Sequence, residues 1–506
     1  MINVGFVGIN ADISEAIYIH TISHYMKMKF LPIAIFAGLL FLKCPAYAQD
    51  KSAKLKALFD TLYLDQNFNG CVLVAEEGKP VFMKAYGYAD QEKKRLLDTK
   101  SVFELASISK QFTAMAIMQL KEKGLLSYED ALQKFFPGLP YKGVTIRNLL
   151  THTSGIPEFL GFGSKDIDVN KNNFNQDIID RFQSKIAPAQ FAPGTSTAYS
   201  NTNYLLLASI VEKVSGMTFS NYMKKNVFLP AGMDHTKVYS RLSTAEKISN
   251  YASDYVWDAS ENSYVKTDDQ PAHMTNILDG VNGPYGISSN VEDLFKWDQA
   301  LYTTKLVSAV TLKDAFLPTK LIGSKGVASL SPEMPLGFGW VIRTDSLESK
   351  DMFHTGGFGG YTSLIVRYTL EKRTIILLCN YSNMTGVYEL MTAVTAVLDG
   401  EQPSIPKKTV RMKSIRVAAA ELKGFEGTYF FENYPDYNMQ VRAEGNHLFA
   451  RLTNQGEFAI YPESNDTFFY TVVEAKIKFS EDKISKQKRL TLFQNGKEIQ
   501  MSQKKK

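Results

Sequence analysis

Cysteine, histidine and net charge are all scarce in this chain. It has 3 cysteines and 7 histidines in 506 residues. The histidines are dispersed, with no His-Glu-x-x-His and no Cys/His cluster, which argues against a catalytic metal. The formal charge of +5 is small for this length, and the basic residues are scattered apart from short runs such as the terminal Lys504-Lys505-Lys506. A scattered, nearly balanced charge gives no footprint for nucleic acid. No Gly-x-Ser-x-Gly occurs, so the nucleophile elbow of α/β-hydrolases is missing. There is no internal repeat and no low-complexity segment.

Long apolar runs are also rare, and the one near the N-terminus has the marks of an address. Lys27 and Lys29 precede "FLPIAIFAGLLFL", followed by "AYAQD" with Ala46 and Ala48 in the small-residue cleavage pattern. This predicts a secretory signal peptide over residues 26–48, cut after Ala48, with residues 1–25 as an upstream extension. The run is shorter than the ~20 residues of a membrane-spanning helix. The expected destination is across the inner membrane, in the periplasm, with no stable membrane span after cleavage. Lys43 stands before Cys44 where lipid attachment would want a small residue. Cys71 and Cys379 lie inside apolar β-type runs, the setting of buried thiols. Export would also permit a disulfide, and nothing in the sequence pairs them.

The chain is long enough for more than one domain. A helix from residue 51 is predicted by Leu55, Leu58, Phe59, Leu62 and Tyr63 on one face, and a hairpin by "CVLVAEEGKPVFMKAYGYA". Gln111 to Leu126 reads as a mostly buried helix stopping at Gly124. Helices also fit "TIRNLLTHTSG", "NYLLLASIVEKVSG" and "VEDLFKWDQALY". Strands return in "FGWVIR", "GYTSLIVRYT" and "TIILLCN". A hairpin first and strands last implies an antiparallel sheet completed by both ends of one domain, over residues 49–400, and covered by helices. Residues 401–420 read as a linker. Residues 421–506 carry short alternating runs between Gly, Asn and Asp turns, the pattern of a small barrel or sandwich.

Chemistry could start at "FELASISKQF", where Ser107 and Lys110 share a helical face. The same Ser-x-x-Lys spacing recurs at Ser263, Ser480, Ser485 and Ser502, three of them in the lysine-rich C-terminal region. Ser107 differs by preceding a strongly apolar helix, whose free N–H groups would favour a developing oxyanion. Burial among Phe103, Leu105 and Phe112 would lower the pKa of Lys110 toward that of a usable base. Two further motifs follow in order. Tyr199-Ser200-Asn201 stands in a polar loop before a helix, and His354-Thr355-Gly356-Gly357 stands in "FHTGGFGGYTSLIVRY". A second Tyr-Ser-Asn at 381–383 runs off the end of a strand and reads as a turn. His152, in "LLTHTSG", reads as a bracing residue rather than a triad base.

Ser-x-x-Lys, Tyr-x-Asn and His-Thr-Gly in this order resemble the serine β-lactamase-like family: class C β-lactamases, D-alanyl-D-alanine carboxypeptidases and related esterases. "TIRNLLTHTSGIP", "GPYGISSNVEDLFKWDQALY" and "LGFGW" extend the resemblance over roughly residues 55–400. It implies an α+β fold of an antiparallel sheet flanked by helices with an all-helical lobe. The β-rich end is similar to lipocalin-like domains appended to some members. Its Phe and Tyr density is more simply a core than a ligand cage.

By resemblance, Ser107 is the nucleophile acylated by substrate, and Lys110 and Tyr199 share the general-base and general-acid work. Tyr199 could serve if positive neighbours lower its pKa or if it passes the proton on. Asn201 would orient Lys110 and a substrate amide, and the backbone N–H groups of Ser107 and Gly357 would form the oxyanion hole. His354 and Thr355 would contact substrate. His354 replaces the lysine common in β-lactamases, which weakens the hold on a substrate carboxylate above neutrality. No second acidic motif of the class A type is evident. No cofactor is implied. The expected substrates are D-amino-acid-containing peptides, then esters, then β-lactams; a non-catalytic penicillin- or muropeptide-binding sensor is the rival of another class.

Overall fold

The computed structural model describes residues 44–161, 167–184, 187–269, 274–343, 351–382, 384–407, 411–431, 437–453, 457–471, 473–494 and 496–503. The expected signal peptide and upstream extension therefore lie almost wholly outside the described residues. No described helix is long and apolar enough to cross a membrane.

The larger, N-terminal domain is built on one six-stranded antiparallel sheet. Its strands are β1 (Gly70–Glu76), β2 (Lys79–Tyr86), β3 (Val341–Arg343), β4 (Asp351–Phe358), β5 (Tyr361–Tyr368) and β6 (Arg373–Cys379), in the order β3-β4-β5-β6-β1-β2. The early hairpin thus pairs with the last strand, Cys71 opposite Leu378 and Val72 opposite Leu377. This is the closure expected from the hairpin-first, strands-last order.

Helices cover both faces of the sheet. On one side pack α1 (Cys44–Leu64) and a helix near the domain's end (Val387–Leu398). Leu55, Leu58, Phe59 and Leu62 of α1 share a core with Leu390 and Val394 of that later helix, all of them buried. Tyr63, placed on the apolar face by its spacing, is 41% exposed, at the penultimate position of α1.

The opposite face carries the helical lobe, centred on α2 (Ser109–Glu122). Every residue from Ser109 to Leu120 is buried. A helix enclosed on all sides is the core of a large domain rather than a surface element. Several of its polar groups are accordingly bonded: Thr113 donates to the Gly283 carbonyl at 2.8 Å, and Gln111 Oε1 accepts from the Trp297 indole at 3.0 Å. Next to α2 lies α3 (Asn201–Ser215), which ends at Gly216 with φ 69°.

Cys71 and Cys379 are both buried and free. In register, Cys379 sits opposite Gly70 and Cys71 opposite Leu378, so the two thiols point to opposite faces of the sheet. Cys71 joins the core under the helical lobe and Cys379 the core under α1. That geometry rules out a bridge between them.

The C-terminal residues form a closed barrel of eight antiparallel strands, from Gly427–Phe431 to Lys497–Gln503. Tyr429, Phe431, Met439, Phe468, Ile477 and Leu490 fill it. Eight-stranded barrels are shared by several unrelated families, so the architecture alone does not make this one a lipocalin. The connecting segment is tied down rather than free. Trp257 donates to the Met412 carbonyl at 3.1 Å, Arg411 bonds the Tyr264 hydroxyl, and the Ser414 N–H reaches the Ala259 carbonyl.

Candidate active site

Ser107 lies in a single 3-10 turn, Ala106–Ile108, that leads directly into α2. The turn is strained at Ala106, whose φ of +50° is unusual for a residue with a side chain. Several groups hold it. The Glu104 carboxylate oxygen accepts from the Ala106 N–H at 3.1 Å and from the Gly286 N–H at 2.9 Å, and Ser363 on β5 donates to the Leu105 carbonyl at 2.7 Å. From the other side β4 presses on the turn. A Cβ at Gly356 would lie 2.3 Å from the Leu105 carbonyl oxygen, so only glycine permits this approach.

At the second position of α2, three residues on from Ser107, Lys110 is fully buried. Its ammonium uses all three donors: Ser107 Oγ at 3.1 Å, Asn201 Oδ1 at 2.7 Å and the Pro284 carbonyl at 2.9 Å. Burial lowers its pKa to about 7, opposed by the nearby Glu158 carboxylate. A lysine so poised is half neutral near physiological pH and can take a proton from an adjacent hydroxyl.

Tyr199 closes the other side. Lys110 Nζ sits 4.9 Å from the centre of its ring, and the Ser107 hydroxyl lies close enough to the phenol to favour its ionised form. Burial raises the Tyr199 pKa, contrary to the lowering considered from its sequence context. The phenol therefore stays protonated at neutral pH and can act by relaying a proton, while Lys110 is the group whose charge is tuned. His152 braces the loop. Its ring stacks on Tyr199 at 4.4 Å, its Nδ1 accepts from the Ser200 N–H at 3.0 Å, and its carbonyl accepts from Ala198. Burial depresses its pKa well below the usual value, so it is neutral.

His354, Thr355 and Gly357 lie on β4. His354 is 5% exposed, with its ring 6.3 Å from that of Tyr199 and its Nδ1 2.6 Å from the Thr355 carbonyl oxygen. Burial, with the Lys110 charge beside it, lowers its pKa to about 4. An ionic hold on a substrate carboxylate, already weak by sequence, is thereby removed at neutral pH. Thr355 is partly exposed.

The competing Ser-x-x-Lys serines are far from such an arrangement: Ser480 and Ser502 are on barrel strands, Ser485 is in a barrel turn and Ser263 is on a short hairpin. Of the second Tyr-Ser-Asn, Asn383 lies outside the described residues. Tyr381 is buried and stacked on Tyr255 at 4.6 Å.

Two acidic residues escaped sequence reasoning. Glu104 is buried, and desolvation raises its pKa to about 8. Glu158 accepts from the Asn201 and Leu160 N–H groups. The one signal for either was a carboxylate inside an apolar stretch, "VFELA" and "GIPEFLGF".

The family model described as Beta-lactamase matches residues 55–397. The chain belongs to this family. It is a serine hydrolase of the β-lactamase/penicillin-binding-protein type. "Penicillin-binding protein 4*" of Bacillus subtilis is 36% identical over 454 residues, spanning 89% of this chain and 98% of the relative. Among solved structures, a penicillin-binding protein from Bacillus halodurans aligns with TM-score 0.57 and 26% identity, over 67% of this chain and 98% of that one. The octameric penicillin-binding protein homologue from Pyrococcus abyssi aligns with TM-score 0.59 and 23% identity over 89% and 99%, a likeness of fold that includes the barrel.

Proposed function

We propose that this is an exported, periplasmic hydrolase that works through an acyl-enzyme on Ser107, with D-amino-acid-containing peptides of cell-wall type as its substrates. The observation that carries the reading is the buried Lys110 ammonium, 3.1 Å from Ser107 Oγ, with its pKa lowered to about 7. Ser107 Oγ attacks the scissile carbonyl as its proton passes to neutral Lys110. The backbone N–H groups of Ser107 and Gly357 stabilise the oxyanion, and Asn201 holds Lys110 and a substrate amide. The C–N bond breaks as the proton returns to the leaving amine by way of Tyr199. Water then attacks the Ser107 ester, losing its proton to the same pair, and the acid is released.

A second reading is favoured by the neutral His354. With no charge there to hold a terminal carboxylate, esters and amides lacking one would be accepted as well. The intact Ser107, Lys110 and Tyr199 cluster supports either over a non-catalytic sensor. The test has two parts. Ser107→Ala should abolish covalent labelling by a fluorescent penicillin or a fluorophosphonate, and undiminished labelling would place the nucleophile elsewhere. A panel of a D-Ala-D-Ala peptide, an L-peptide, a cephalosporin and a short-chain ester then ranks the substrates.

A further inference from the structure

We propose that Glu158 is a positioning residue for the reaction, holding Asn201 so that its amide oxygen faces Lys110 and helping to set the charge of that lysine. The inference rests on the assignment of Lys110 as the base.

The geometry runs in one direction. The Glu158 carboxylate accepts from the backbone N–H of Asn201. The side-chain oxygen of the same residue accepts from Lys110 at 2.7 Å, so the bond to Glu158 fixes the backbone position from which Asn201 reaches the lysine. The other Glu158 oxygen accepts from the Leu160 N–H at 3.1 Å. The segment bearing Glu158 is fixed on both sides. Before it, the Pro157 carbonyl accepts from Thr202 Oγ1 at 2.8 Å; after it, the Phe159 N–H donates to Thr202 Oγ1 at 2.9 Å and Arg451 of the barrel donates to the Gly161 carbonyl at 2.8 Å. Glu158 therefore cannot leave Asn201 without breaking several contacts.

The charges around the pair act in opposing senses. The carboxylate of Glu158 raises the Lys110 pKa against the burial that lowers it. Tyr199 and Tyr285 also lie within electrostatic reach of Glu158, and neutral His152 and His354 within reach of Lys110. None of these four carries charge at pH 6 to 8. Burial raises the Glu158 pKa, opposed by the N–H groups it accepts from and by the Lys110 charge, and its ionised form is the one whose removal changes the field at Lys110.

The experiment is the pH profile of Ser107 acylation by a fluorophosphonate, with the modified residue verified by mass spectrometry. Wild type should gain rate as pH rises through about 7, as Lys110 loses its proton. Glu158→Gln should move that limb to lower pH by about one unit. A wild-type limb near 7 that Glu158→Gln leaves in place overturns the role of Glu158 alone. Absence of the limb in wild type overturns the base assignment and this role with it. Should Glu158→Gln fail to fold, Glu158→Asp decides the matter. It keeps the charge but withdraws it from Asn201, so the limb should stay and the plateau should fall; a wild-type plateau overturns the proposal.

Discussion

The surroundings of Lys110 and the interior of the barrel are built by different rules. The barrel is filled with apolar and aromatic side chains, and among its described residues Gln494 is the sole buried polar one. Around Ser107 the core holds Glu104, Ser109, Lys110, His152, Ser200 and His354, with positive φ at Ala106 and His152. Burying such groups costs stability unless each is bonded. Nearly every one has a partner here, so the polar cluster is held in place at the expense of an apolar core. Local strain and buried charge concentrate where chemistry is done.

Substitutions can break that contrast. The largest effect should come from Lys110→Ala, which removes the proposed base and should slow acylation of Ser107 by about 10²–10⁴-fold with little loss of fold; a rate within tenfold of wild type, measured in single turnover, would reject its role. Next is Gly356→Ala, whose Cβ would collide with the Leu105 carbonyl. It should cost about 1–3 kcal/mol and also displace the serine turn, read as a lower Tm and slower labelling. The smallest effect belongs to the barrel. Ile477→Val should lower stability by about 0.5–1.5 kcal/mol and leave acylation unchanged, which a thermal melt and a labelling assay together would check.

Much of the site was legible because motifs are local in sequence. Ser107, Lys110, Tyr199 and Asn201 converge as their order implied, and the sheet closes through β1 and β6 as the arrangement of apolar runs implied. What escaped depends on burial, which is a property of the fold. His354 looked like a weak cation until the structure enclosed it. Glu104 and Glu158 are single carboxylates with no spacing to mark them, and the Pro284 carbonyl that receives Lys110 is backbone, invisible to any reading of side chains. The connecting segment around residues 411–415 looked like a loose tether by composition, since the residues that bind it, Trp257 and Tyr264 among them, lie far away along the chain.

The placement of the two thiols has a practical meaning. Cys71 and Cys379 are neighbours across β1 and β6, yet the sheet stands between them like a partition. Burial raises the pKa of both and keeps them as unreactive thiols. An oxidant can neither lock the sheet by joining this pair nor inactivate the site by closing it. The catalytic half should therefore behave alike in reducing and oxidising surroundings, its integrity resting on packing alone.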